Sequence, residues 1–462
     1  MLNPLPSLKQ QFLFIGPLIA GLTYYWLDIN LASNIAITAA VAVWCVSWWI
    51  FEPVPIPVTS LLPIAIFPLA GVLTADQVAA AYGNKLVLLL LGGFLLSTAI
   101  SHCGAHRRIA LTMVHWFGSN NPKRLVMGFM VASAILSMWI SNTATTLMLL
   151  PVVLAIIDSS DNKKLALPLL LGLAYAASIG GIGTPIGTPP NLIFMQVYEE
   201  NTGLQVSFTQ WMSWALPLIF LFLPIVWLWL TRHLHNEGGF HLPTVGAWTT
   251  HERRVMIVFG LTALFWITRR EPFGGWSGWL NLPHANDASV ALLAVIALFI
   301  TPNGNKEKLL NWKTAQQIPW GILLLFSGGI CLAKAFVISG LSSQLGDQLS
   351  AVTAFSIIGM MVAIALCVTF LTEATSNTAT TAMLMPVLVA TAINAELDPL
   401  LLMIPATFSA SCAFMLPVAT APNTIVFSSG LVHSKKMAKE GLVLNLIGTI
   451  LITFVCWLIF VI

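Results

Sequence analysis

Ser141-Asn142-Thr143-Ala144-Thr145-Thr146 recurs letter for letter as Ser376-Asn377-Thr378-Ala379-Thr380-Thr381, and Pro151 and Pro386 follow the two copies at the same distance. Each copy lies inside a long apolar stretch, where an unsatisfied polar group costs several kcal/mol, roughly, unless protein or water satisfies it. Hydroxyl and amide side chains at such places can do two kinds of work. Ser, Asn and Thr are strong N-caps, so each hexapeptide can end one half-helix and start another. The helix starting near Thr143 or Thr378 then presents free N–H groups and a positive dipole end, which attract a carboxylate. The helix ending just before offers free carbonyl oxygens, which suit a sodium ion. Ser137 lies four residues before Ser141, and Thr372 four before Ser376, which puts each pair of hydroxyls on one helix face. A single Ser or Thr of this kind can be explained by capping and packing alone; the duplicated set reads as a binding site.

No Lys or Arg occurs in either hexapeptide. A dianion held at the bilayer centre is costly without positive partners, and bound sodium ions can supply that charge. Glu373 precedes Ser376 by three, with Met138 as its repeat counterpart, and is read as structural. Lys334 lies near a segment end and can snorkel outward. The nine histidines are assigned no chemistry, and no H-E-x-x-H motif or paired intramembrane Asp supports a membrane-embedded hydrolase. No catalytic residues are expected. The six cysteines, scattered through apolar segments, read as small packing residues.

These site residues must be held by membrane-spanning elements. The chain is 57% hydrophobic and 8% charged over 462 residues, against about 25% charged in soluble domains. It reads as an all-α polytopic membrane protein, and its net charge of +3 is too small to suggest a nucleic-acid partner. Apolar segments are expected at about 11–29, 33–51, 54–73 (made irregular by Pro53, Pro55 and Pro57) and 85–102. A basic amphipathic stretch, His102 to Phe117, suits the membrane surface. The first hexapeptide splits 123–157 into a hairpin, and Gly180 to Asn191 interrupts a helix over 165–200. Spans follow at 211–231, 251–268, 287–301 and 319–340. The second hairpin covers 351–394, a second interrupted helix 399–433, broken at Pro417 to Asn423, and a last span 441–461.

If both hairpins are re-entrant, eleven crossings result. Lys9, Arg107, Arg108, Lys123, Arg124, Lys163, Lys164, Arg232, Arg253 and Arg254 then share the inner face with Lys306, Lys308, Lys313, Lys435, Lys436 and Lys439. The outer face receives Lys85, Arg269 and Arg270. That is a strong positive-inside bias, with the N-terminus cytoplasmic and the C-terminus outside. Gly92-Gly93 pairs with Gly328-Gly329, Ser141 with Ser376, and Thr188-Pro189-Pro190-Asn191 with Thr420-Ala421-Pro422-Asn423, all at nearly one separation. Each copy holds five crossings after one extra N-terminal span, so the second is inverted. Inverted repeats with paired broken segments point to a secondary transporter with a midplane site.

The doubled S-N-T tips and T-x-P-N breaks resemble the divalent anion/sodium symporter (INDY) family, carriers of dicarboxylates or citrate with sodium, over essentially the whole chain. The second break departs in reading Thr420-Ala421-Pro422 where the first has two adjacent prolines. The resemblance implies a homodimer in the cell membrane in which a transport part slides against a fixed scaffold. Scaffold is expected at 1–118 and 233–345, transport at 119–232 and 346–462. It places one sodium among Ser137, Ser141, Asn142 and Gly187, and another among Thr372, Thr375, Asn377 and Ala419. The substrate, a C4 dicarboxylate such as succinate or a related di- or tricarboxylate, would bridge Ser141-Asn142-Thr143 and Ser376-Asn377-Thr378, with Thr188 and Thr420 nearby. Sodium-independent anion exchange on the same fold is the nearest alternative.

Overall fold

Proline, glycine and polar caps decide where the helices stop. The computed structural model describes residues 8–117, 121–160, 162, 164–234, 245–344 and 356–462. Among these the regular structure is helical, with one isolated bridge between Pro302 and Lys308. Ser33–Phe51 ends at Glu52, which takes a left-handed φ of 47°. The proline-rich stretch after it gives only the short helices Ile56–Thr59 and Leu61–Leu69. Among the described residues six helices are long and apolar enough to cross a membrane: Ser33–Phe51, Ala75–Cys103, Phe208–Thr231, Trp320–Ser339, Ile357–Ala374 and Ser434–Phe460.

Both hexapeptides fall between two helices. The first hairpin has arms Pro122–Ser137 and Asn142–Asp158, and the second Ile357–Ala374 and Asn377–Asn394. The interrupted helices are Ala166–Gly181 with Pro189–Thr202, and Leu400–Ala410 with Ala421–Phe427. Lys163, residues 351–355 of the expected second hairpin, and the expected part boundaries near 118 and 345 lie outside the described residues.

The chain forms two compact units. One comprises Met1–Val87, Leu192–Gln205 and Pro319–Ala410; the other comprises Leu88–Asn191, Val206–Ile318 and Ser411–Ile462. These boundaries differ from those of the expected scaffold and transport parts, which describe motion rather than compactness. In the first unit Trp320–Ser339 packs on Ser33–Phe51, Leu61–Leu69 and Asn377–Asn394, while Leu400–Ala410 packs on both arms of the second hairpin. In the second unit Ala166–Gly181 is the central helix. It is buried along its length and touches both arms of the first hairpin, Phe208–Thr231 and Ala421–Phe427.

The amphipathic stretch forms the helix Ala105–Phe117. It buries Ala110, Leu111 and Val114, packs against Pro122–Ser137 and leaves Arg107 exposed. Arg108 turns inward to Glu252 at 2.9 Å and lies 5.4 Å from the Trp248 ring, tying this helix to the start of Thr250–Ile267.

The first glycine of each repeat-matched pair is a close-packing point. A Cβ on Gly92 would lie 2.5 Å from the Ala291 Cβ, and one on Gly328 would lie 2.3 Å from the Ser60 carbonyl oxygen. Gly260, also inside a helix, has nothing within 4 Å of its Cβ position. Gly328→Ala should therefore cost about 1–3 kcal/mol through overpacking, and Gly260→Ala should be neutral or stabilise by up to about 1 kcal/mol through helix propensity. Melting temperatures of the purified variants check this, and equal values for the two would refute the tight contact at Ser60.

Candidate functional site

At the first tip the entering arm ends at Ser137, and Ser141 caps the leaving arm by accepting from the Ala144 N–H at 3.2 Å. Thr146 donates to the Asn142 carbonyl at 2.8 Å. Ser141 and Asn142 are half-buried and Thr143 is exposed, whereas Ser137 is fully buried behind them. Ser137 Oγ and Asn142 Oδ1 are buried atoms with no hydrogen-bond partner among the described residues. The first break closes over them. Thr184 donates to the Met138 carbonyl, a Cβ on Gly181 would lie 2.7 Å from Asn142 Oδ1, and one on Gly187 would lie 2.4 Å from the Gly181 carbonyl oxygen and 3.1 Å from that of Ser137. The expected first sodium set is thus brought together within one unit: Ser137, Asn142 and Gly187 crowd one another, and Ser141 caps the same tip. Neutral oxygens, crowded and short of donors, fit a small hard cation.

The second tip shares the letters and differs in detail. Thr381 donates to the Asn377 carbonyl at 2.8 Å, as Thr146 does to Asn142. Ser376, however, makes no side-chain cap, so the first turn of Asn377–Asn394 lacks one. The fully buried Thr372 Oγ1 lies 2.8 Å from Asn377 Oδ1 and 3.0 Å from the Ala410 carbonyl oxygen. A hydroxyl has one proton, so it can satisfy one of these acceptors at a time. Three oxygens therefore converge with one hydrogen among them, a donor set that also fits a cation. Of the expected second set, Thr372 and Asn377 meet. The Thr375 hydroxyl instead lies 2.9 Å from the Leu371 carbonyl and 2.5 Å from Thr380 Oγ1, and Ala419 belongs to the other unit. The Ala410 carbonyl was not expected. It lies at the end of Leu400–Ala410, where the last carbonyls of a helix lack intrahelical partners.

The two T-x-P-N motifs act alike. Asn191 Nδ2 donates to the carbonyls of Gly181 at 3.1 Å and Thr184 at 2.7 Å, ten and seven residues back. Asn423 Nδ2 donates to Ala413 at 3.0 Å and Leu416 at 3.1 Å, again ten and seven back. Each amide thus clamps the unwound backbone of its own break, and each leaves a buried Oδ1 without a partner among the described residues. Sequence reasoning used these asparagines only as landmarks; their recurrence at the end of both breaks was the available signal. Thr188 and Thr420 are both buried, and Thr420 caps the final half-helix by accepting from the Asn423 N–H at 3.2 Å. The second break is further fixed by Tyr175, whose hydroxyl donates to the Phe414 carbonyl at 2.6 Å. Glu373 is buried at 4% exposure. Among the described residues no group of three His, Cys, Asp or Glu could hold a metal, and all six cysteines are free thiols.

Residues 23–462 match the family described as sodium:sulfate symporter transmembrane region. The chain is 37% identical to the sodium-dependent dicarboxylate transporter SdcS of Staphylococcus saprophyticus, with 96% of this chain and 90% of that protein covered. It is 38% identical, with the same coverage, to SdcS of Staphylococcus aureus strain USA300. Two solved structures share the fold at 14% identity. The Alcanivorax borkumensis YdaH transporter gives a TM-score of 0.60, covering 86% of this chain and 88% of that one. Neisseria gonorrhoeae MtrF gives 0.59, covering 85% and 84%.

Each clamp should be needed for its own break. Asn191→Ala takes the amide donor from the Gly181 carbonyl and Asn423→Ala that from the Ala413 carbonyl, at about 1–3 kcal/mol per stranded group, while the Thr184 and Leu416 carbonyls keep the N–H groups of Gly187 and Ala419. Both variants should melt well below wild type, while Asn201→Ala, at a half-buried helix end where the amide donates to the Val197 carbonyl of its own helix, should lose far less. A wild-type melting temperature for either clamp variant would show that its break is held by other contacts.

Proposed function

Because the chain belongs to the sodium:sulfate symporter family, a family of integral membrane transporters rather than enzymes, we propose that it carries C4 dicarboxylates such as succinate, or related di- and tricarboxylates, in symport with sodium. What supports this most is the first tip. Ser137 Oγ and Asn142 Oδ1 are buried without donors beside carbonyl oxygens of the first break, and no Lys or Arg stands in either hexapeptide. A polar cluster meant for an anion alone would need cations or free N–H groups; this one offers acceptors. Sodium held there supplies the charge that the dicarboxylate needs. The names of the staphylococcal relatives, sodium-dependent dicarboxylate transporters, agree with that cargo.

The proposed roles follow the sequence. Ser137, Ser141, Asn142 and Gly187 hold one sodium, and Thr372, Thr375, Asn377 and Ala419 the second, to which we add the Ala410 carbonyl. Ser141-Asn142-Thr143 takes one carboxylate and Ser376-Asn377-Thr378 the other, with Thr188 and Thr420 beside them. Purified protein in liposomes tests the reading. An inward sodium gradient should drive labelled succinate uptake, with citrate and sulfate compared in parallel, and Asn142→Ala and Asn377→Ala should each abolish it. Each variant should still fold, since Asn142 Oδ1 has no hydrogen-bond partner to lose among the described residues and Thr372 keeps the Ala410 carbonyl when Asn377 is removed. Butyrate should compete about tenfold or more weakly than succinate, because a single carboxylate strands one donor set. Uptake indifferent to sodium would favour the exchanger, and equal competition by butyrate would sink the two-tip arrangement.

We further propose eleven crossings with both hairpins re-entrant, the N-terminus inside, and a homodimer working by an elevator motion. The parts 119–232 and 346–462 would slide against a scaffold of 1–118 and 233–345. The ion pair between Arg108 and Glu252 links two segments that are both assigned to the scaffold. Cysteine pairs between scaffold and transport parts, in a background lacking the six native cysteines, should crosslink differently in inward- and outward-facing states. The expected shifts are about 5 Å, one helical turn, or more, and the preparation should have the mass of two chains. The same pairs crosslinking in both states during active transport would exclude a sliding body.

A further inference from the structure

Within the second unit, a cavity of about 250 Å³ opens between the start of Ala166–Gly181, the end of Phe208–Thr231 and the first turns of Ser434–Phe460. Its charged lining is Lys164, Arg232, Lys436 and Glu440, joined by His233, over an apolar floor that includes Leu230. Three cations thus face one carboxylate, and that carboxylate is already engaged. Arg232 Nη2 donates to both Glu440 oxygens at 2.9 and 2.8 Å, and Trp229 Nε1 donates to Glu440 Oε2 at 2.7 Å. The guanidinium also lies 3.9 Å from the centre of the Trp229 ring and donates to the Trp229 carbonyl. Arg232 is therefore fixed in place, while Lys164 and Lys436 are exposed and have no ion-pair partner among the described residues. Ala166, Leu167 and Pro168 bring a helix N-terminus to the same cavity, adding to its positive field.

We propose that this cavity binds a phosphate group, and specifically the headgroup phosphate of an anionic membrane lipid. Fixed guanidinium and mobile ammonium groups over an apolar floor match a phosphodiester on a glycerol stem. The cavity sits at the ends of Phe208–Thr231 and Ser434–Phe460, two helices long and apolar enough to cross the membrane. Its basic residues are among those that the positive-inside pattern puts on the inner face. An indole and an arginine at a helix end are also the residues that anchor helices at headgroup level. The proposal rests on the membrane-transporter reading for that placement but not on any cargo.

The test reads binding, so it stands whether or not succinate is carried. Purified protein in detergent is titrated with phosphatidylglycerol or phosphatidylcholine while the melting temperature is followed. Phosphatidylglycerol should raise the melting temperature and phosphatidylcholine should not. The double variant Lys164→Gln/Lys436→Gln should shift the half-saturating phosphatidylglycerol concentration upward roughly tenfold or more. Lys164→Arg/Lys436→Arg should restore it, and Lys306→Gln, an exposed lysine outside the cavity lining, should leave it unchanged. An unchanged titration in the double glutamine variant, or equal effects of the two lipids, overturns the site. The same stabilisation by inorganic phosphate at matched concentration assigns the cavity to a soluble anion and overturns the lipid assignment.

Discussion

The architecture turns on a single constraint: helix ends and polar tips placed within apolar sequence must have every backbone group answered. Each break meets it in part with one amide. Asn191 and Asn423 reach back ten and seven residues to carbonyls that no helix can satisfy. With those carbonyls engaged, the unwound segments can lie among buried helices. Glycine then lets the backbone approach. Gly180, Gly181 and Gly187 each stand where a Cβ would strike Ala134, Asn142 or the Gly181 carbonyl. What is left over, after the clamps and the close approaches, is a small surplus of acceptors. That surplus of neutral oxygens is what the proposed sodium sites draw on.

The two tips solve one problem in different ways. In the first, Asn142 Oδ1 and Ser137 Oγ have no donor among the described residues. In the second, the Thr372 proton is contested by the Asn377 amide and the Ala410 carbonyl. The first tip thus holds buried oxygens free of protein hydrogen bonds, whereas the oxygens of the second share one hydroxyl proton between two acceptors. Identical letters thus give tips of unequal character, and Ser141 and Ser376 differ as well. The first caps its helix and the second does not.

Much of this was legible in the chain. The density of glycine and proline from Gly180 to Pro190 placed the first break, and the helices do stop at Gly181 and resume at Pro189. Both hexapeptides lie at helix starts, although only Ser141 makes the side-chain cap that Ser-Asn-Thr chemistry offers. The role of Asn191 and Asn423 was not legible, because a reach of seven and ten residues across irregular backbone belongs to no helical or strand period. Nor was the Ala410 carbonyl, since a backbone oxygen carries no letter and its position depends on where Leu400–Ala410 ends. The grouping of the first tip with the second break in one compact unit depends on packing of Ala421–Phe427 against Asn142–Asp158 and Ala166–Gly181, a contact between distant segments that local pattern does not encode.

The hydrogen bond from Tyr175 to the Phe414 carbonyl spans 239 residues of chain. During synthesis the phenol is therefore complete long before its acceptor exists, and the most deeply buried tyrosine must wait through more than half the translation of the protein. Contacts of such separation form late and are reached slowly. The second break, with a final half-helix of only seven residues, is too short to be settled in the bilayer by its own hydrophobicity. The earlier half of the chain therefore supplies one of the fixed points of that break, the Tyr175 hydroxyl on the Phe414 carbonyl.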